Sequence, residues 1–148
     1  MERFDPQFAV YIVLGFFVFF ALMWSGVVTL IAYIGGWRRI AADFPFSTTS
    51  FVGEVKKKAT MCSLRISVFG RYNNCVTIIA YDRGIALKQL LIFKISHPDI
   101  FIPWDSIKNV SEINYFWYKG LRIQAGNHYI DVYGRATEFV REQLQRRK

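Results

Sequence analysis

The sequence predicts an α+β chain: one N-terminal transmembrane helix, a curled antiparallel sheet of about seven strands, and a C-terminal amphipathic helix. Three observations carry this. Residues 8–34 form a run of 27 without a single Asp, Glu, Lys or Arg. From Met61 onward, apolar and polar residues alternate with the period of half-buried strands. Beyond Arg135, residues Ala136, Phe139, Val140 and Leu144 recur at the helical period with charges between them.

The first seven residues are too few to fold, and the transmembrane segment is read as 8–36. At ~1.5 Å per residue the apolar run reaches roughly 40 Å, enough to cross a hydrocarbon core of about 30 Å with some tilt. A lone segment satisfies its backbone in lipid only as a helix. A cleaved signal peptide fits poorly, because the apolar core exceeds about 7–15 residues, Arg3 is offset by Glu2 and Asp5, and Gly35-Gly36 is a poor cleavage site. A buried helix of a soluble domain fits less well still, since the run offers no polar face. Phe16, Phe17, Phe19 and Phe20 suit lipid, and Tyr11, Tyr33 and Trp37 suit the two interfaces. Ala21, Ser25, Thr29 and Ala32 share one face, a small-residue stripe expected to receive a neighbouring helix.

The remainder is large enough for one domain of ordinary size. Apolar residues make up 53% and aromatics 18% of the 148 residues, too many to be used by the anchor alone. The chain carries +8, and beyond residue 36, 18 Lys and Arg face 9 Asp and Glu. Such a balance favours anionic lipid beside a membrane, and the tether makes nucleic acid the poorer expectation. Arg38 and Arg39 abut the helix while the N-terminal side has almost no positive charge, so the expected orientation puts the domain in the cytoplasm, N-terminus outside. Cys62 and Cys75 are then expected to remain thiols.

Residues 37–60 read as a basic juxtamembrane linker, and 61–148 as the folded domain. Trp37, Arg38, Arg39, Lys56, Lys57 and Lys58 are the expected lipid contacts, the cations on headgroups and Ile40 and Phe44 dipping below them. Leu64, Ile66 and Val68 mark a half-buried strand, and residues 47–60 before it read as a linker or an irregular first strand. Residues 70–74 mark a turn, and 75–81 a second strand. With that turn, Cys62 faces about Tyr81 and the two thiols lie about 20 Å apart. Residues 85–93 read as a third strand, with Ile85, Leu87, Leu91 and Phe93 on one face, and 100–104 as an edge strand because of Pro103. A long strand over 107–118, a turn at Lys119-Gly120 and two further strands complete the sheet. Tyr115, Phe116, Trp117 and Tyr118 are the candidate partner surface, one pair buried and the other exposed.

The stretch from Tyr81 to Val110, with Gly84, Ile102, Pro103 and Ile107 in a strand, glycine turn, strand, loop and I-P-x-x-x-I layout, resembles bacterial PH-like and GRAM-like domains. The helix followed by GWRRIA is similar to small single-pass bacterial membrane proteins, which implies that the membrane is a bacterial inner membrane. The resemblance spans about 90 residues and implies a PH-like roll closed by its last helix, working as a binding module without catalytic residues.

A search for chemistry is consistent with that. The cysteine spacing makes no zinc site. Ser96, His97 and Asp99 make one polar cluster in a Ser-His-Pro-Asp loop, but nothing flanking it supplies an oxyanion site. No catalytic, cofactor-binding or metal-ligating residue is expected. The expected role is a membrane-anchored binding or scaffold module engaging a protein partner or the anionic surface. The alternative is an accessory subunit of a larger membrane complex, with an enzyme a distant third.

Overall fold

A computed structural model describes residues 5–46 and 53–147. Residues 47–52 of the expected linker lie outside the described residues. The first helix, α1 (Pro6–Ile34), is continuous over 29 residues. Asp5 caps it by accepting the Gln7 N–H at 3.0 Å. Pro6 occupies the first turn, where a missing N–H costs no hydrogen bond. Its side chains are largely exposed, with Val28 and Ala32 buried, and it is long and apolar enough to cross a membrane. Gly36, at φ +83°, then turns the chain into a short helix, α2 (Trp37–Asp43). Only glycine adopts that left-handed conformation without strain from a Cβ.

Seven strands follow: β1 (Val55–Arg65), β2 (Arg71–Tyr81), β3 (Gly84–Gln89), β4 (Ile100–Pro103), β5 (Ile107–Tyr115), β6 (Tyr118–Ala125) and β7 (His128–Tyr133). They form one open antiparallel sheet in the order β4-β3-β2-β1-β7-β6-β5. Pro103 does end the edge strand β4. The last helix, α3 (Arg135–Gln145), packs on β1 and β7 and buries Ala136, Phe139 and Val140. β1 joins the two halves of the sheet, pairing with β2 along its length and with β7 only over residues 63–65. The register slips around Met61, which sits at φ +54°, and such a bulge bends the strand. One core cluster results, in which Ile78, Leu87 and Ile102 from one half meet Leu121, Ile123 and Val132 from the other.

Several strand boundaries differ from the sequence reading. β1 begins at Val55, so the lysine run belongs to the sheet rather than to a linker. The first turn falls at residues 66–70, closed by the Ile66 N–H on the Gly70 carbonyl at 2.9 Å, and Cys62 therefore faces Val76 instead of Tyr81. The cysteines are consequently close along the sheet. Cross-strand partners share a face and neighbours alternate, so Cys75 points away from the face that buries Cys62. Both are unbridged thiols, and burial pushes both above the ordinary thiol range. Finally, β3 stops at Gln89, and Leu91–Phe93 form a 3₁₀ turn outside the sheet.

Candidate membrane interface

The helix end and the domain meet without a linker. Trp37 is completely buried, donates its indole N–H to the Pro98 carbonyl at 2.8 Å, and stacks edge-on against Tyr72 (5.1 Å) and His97 (5.5 Å). Ile40 and Ala41 join it in the core cluster. The expectation that Trp37 lies in the lipid interface is therefore corrected: its ring fills the domain core, and Ile40 goes with it. Below it, the β1–β2 turn touches the last turn of α1. Ser67 Oγ donates to the Gly35 carbonyl at 3.1 Å, and a Cβ on Gly70 would stand 2.0 Å from that same oxygen.

A second contact lies further down α1. After β3 the chain leaves the sheet, and the 3₁₀ turn lies along the helix. The Trp24 indole N–H donates to the Ile92 carbonyl at 3.1 Å, its ring lies 5.6 Å from Phe93, and the Thr29 and Ser96 hydroxyls are 2.8 Å apart. Thr29 and Ala32 of the small-residue stripe therefore face this chain's own domain, which corrects their expected role in receiving a neighbouring helix. Ser25 Oγ bonds back to the Ala21 carbonyl at 2.7 Å within its own helix.

The basic residues divide. Arg38 and Arg39 are exposed beside the helix end, with the Arg38 guanidinium 4.5 Å over the Tyr33 ring. Lys56, Lys57 and Lys58 sit at the opposite end of β1 from the turn that touches Gly35, up to roughly 30 Å along the strand at ~3.3 Å per residue. Lys56 there pairs with Asp82 at 3.1 Å and Lys57 with Glu142. These partners hold both carboxylates below their ordinary range. Arg38 and Arg39 abut the end of α1, and Arg71 shares a cavity wall with Val28 and Ile31 of that helix.

No family model, curated protein or solved structure matches the chain. Its geometry must carry the functional reading.

Two cavities adjoin the interface. One of about 200 Å³ is lined by Val28 and Ile31 of α1 together with Tyr72, Phe93 and His97. Tyr72 OH and His97 Nε2 are buried, and among the described residues neither atom finds a hydrogen-bond partner. Burial raises the Tyr72 phenol and holds the His97 imidazole below its ordinary value. The other, about 820 Å³, is lined by Arg71, Arg135, Asn73, Asn74, Tyr118 and Tyr133 among others, with no carboxylate in its wall. Arg71 and Asn73 wall both cavities.

The aromatic cluster is not a strand interior. Tyr115 pairs with Tyr118, so Phe116 and Trp117 form the tip of the β5–β6 hairpin, and the turn precedes the expected Lys119-Gly120. All four rings are exposed, Phe116 fully and Trp117 at 90%, which corrects the expectation that one pair is buried. The Ser-His-Pro-Asp loop is structural: Ser96 meets Thr29, and His97 Nδ1 lies 3.1 Å from the Ile95 carbonyl. Among the described residues no group of three His, Cys, Asp or Glu side chains is placed to hold a metal ion. Sequence reasoning missed Trp24, Gly70 and the 91–95 loop. Its one available signal was Leu90 to Phe93, four consecutive apolar residues where an alternating strand needs two.

Proposed function

We propose that this chain is a non-enzymatic, single-pass membrane protein whose PH-like domain is held directly against the anionic cytoplasmic leaflet. The observation that carries the reading is the burial of Trp37, Ile40 and Ala41 in the domain core immediately after α1. With no flexible linker between them, a helix that spans the bilayer leaves the domain resting on its surface. The exposed Arg38 and Arg39 then lie at phosphate depth, where each basic residue near an anionic surface contributes about 1 kcal/mol. The division of strands into β1–β4 and β5–β7, with α3 across β1 and β7, supports the PH-like reading of the roll.

The test is thermal unfolding of the full chain in nanodiscs of phosphatidylcholine alone or with phosphatidylglycerol. Anionic lipid is expected to raise the unfolding temperature, added salt to shrink the difference, and the R38Q/R39Q variant to abolish it. Equal temperatures in both lipids would refute the proposal.

A second reading, an accessory subunit of a larger membrane complex, is favoured by the hairpin tip, where Phe116 and Trp117 project from the sheet. Exposed aromatics of this kind serve as anchors in protein interfaces. Mild-detergent purification with mass spectrometry separates the two: a stoichiometric partner lost in F116A/W117A supports the subunit, and a lone chain removes it.

A further inference from the structure

We propose that residues 90–95 form an apolar finger that enters the hydrocarbon of the bilayer beside α1. The inference rests on the reading above that α1 spans the membrane, and it adds a second membrane-embedded element to the chain.

Depth is the first argument. Trp24 lies about ten residues from the Ile34 end of α1, roughly 15 Å at ~1.5 Å per residue. Centring the 29-residue helix on a hydrocarbon core of about 30 Å puts Trp24 roughly 6 Å from the midplane, and sliding the helix by one turn of about 5.4 Å toward the domain still leaves it inside. The Ile92 carbonyl is hydrogen-bonded to the Trp24 indole, and Phe93 extends the ring series in which Phe20 and Trp24 stack at 6.3 Å. Helical side chains lean toward the N-terminus, which here carries the contact deeper. The finger therefore shares the depth of Trp24.

Chemistry is the second. Non-helical backbone survives at membrane depth only when its polar groups are satisfied by protein. Much of the finger's backbone is so paired: the Leu90 N–H donates to the Cys75 carbonyl (3.0 Å), Phe93 N–H to Leu90 (2.9 Å) and Lys94 N–H to Leu91 (3.2 Å), while the Ile92 and Ile95 carbonyls accept from Trp24 and the His97 ring, which leaves the Leu91, Ile92 and Ile95 N–H groups for the headgroup side or for water carried in with the turn. The side chains that point outward are Leu91 (84% exposed), Ile92 (60%) and Ile95 (44%). The single cation, Lys94, lies 3.8 Å from the Asp99 carboxylate, which offsets its charge. At a shallower level the β1–β2 turn, which touches Gly35, exposes Val68 and Phe69. The occupant of this surface is lipid, because it continues the bilayer-facing surface of α1.

The experiment places single nitroxide labels in the full chain, in a C62A/C75A background in nanodiscs. Leu91→Cys and Ile92→Cys are the test sites, Val27→Cys reports α1, and Lys58→Cys reports water. Collisions with oxygen and with a water-soluble nickel complex are measured at each. Labels at 91 and 92 are expected to match Val27→Cys, open to oxygen and closed to nickel. Nickel access at 91 and 92 with Val27→Cys still closed to nickel would overturn the finger and leave the anchor standing. Nickel access at all sites would overturn the spanning helix itself. Occlusion from both reagents at 91 and 92 would mean protein covers the finger, and also overturns the proposal. Hydrogen exchange on the unsubstituted chain guards against misfolded variants: the 90–95 fragment is expected to stay protected in nanodiscs, whereas a short exposed turn exchanges rapidly, and rapid exchange there would overturn insertion.

Discussion

Replacing Trp37 by alanine removes the largest fully buried side chain among the described residues and its hydrogen bond to Pro98, and leaves Tyr72 and His97 without their stacking partner. Cavity formation on this scale costs about 3–5 kcal/mol, so the unfolding temperature of the full chain in detergent should fall by many degrees, where an interfacial tryptophan would have cost little. His97 supplies a test by pH. Burial, aided by Arg38, holds its imidazole below the ordinary value against the opposing pull of the Ile95 and Phe93 carbonyls. The unfolded chain titrates near ~6.5 and so binds more protons than the native chain just below that pH. Stability is therefore complete above about pH 6.5 and declines as pH falls through it. Unfolding scans of His97→Gln against the parent between about pH 7 and 5 should show the slope reduced. Neither role was legible beforehand. WRRIA has the same pattern whether it lies on lipid or packs in a core, and a histidine in a Ser-His-Pro-Asp loop looks equally at home in water.

At the scale of elements, the dock between α1 and the β1–β2 turn depends on two backbones approaching without side chains. Gly70→Ala would drive a Cβ to 2.0 Å from the Gly35 carbonyl, whereas at Gly15 an added methyl meets nothing within 4 Å. Overpacking of this kind costs about 1–3 kcal/mol. Denaturation in nanodiscs should show that loss for Gly70→Ala and none for Gly15→Ala. The same hairpin explains where strand reading failed. Asn73 and Asn74 look like turn residues, yet they lie within β2. Asn74, at φ +52°, gives its N–H to Ser63 Oγ at 3.0 Å, and the two side chains meet at 3.2 Å. A cross-strand side-chain bond has taken over what reads as turn chemistry. At residues 115–118 the reverse holds: aromatics with strong strand preference form the turn itself, because Tyr115 and Tyr118 pair and leave Phe116 at φ +28°. Periodicity elsewhere, in the strand β4 and the helix α3, was plain because one face is buried more deeply than the other.

For the molecule as a whole, the long apolar helix, the number of strands and the closing helix were all readable from composition and period, since each depends on local pattern. The attachment of the domain to the helix was not, because it is built from contacts between distant segments: Trp24 with Ile92, Thr29 with Ser96, Gly35 with Ser67. That attachment restricts what the protein can become. A cut at Gly35-Gly36 would strip Trp24 from the Phe93 ring and from the Ile92 carbonyl, and a cut after α2 would take Trp37 and Ile40 out of the core. Neither fragment is suited to life in solution. If α1 spans a bilayer as proposed, the domain stays with its helix in the plane of that bilayer and does not diffuse away as a free fragment.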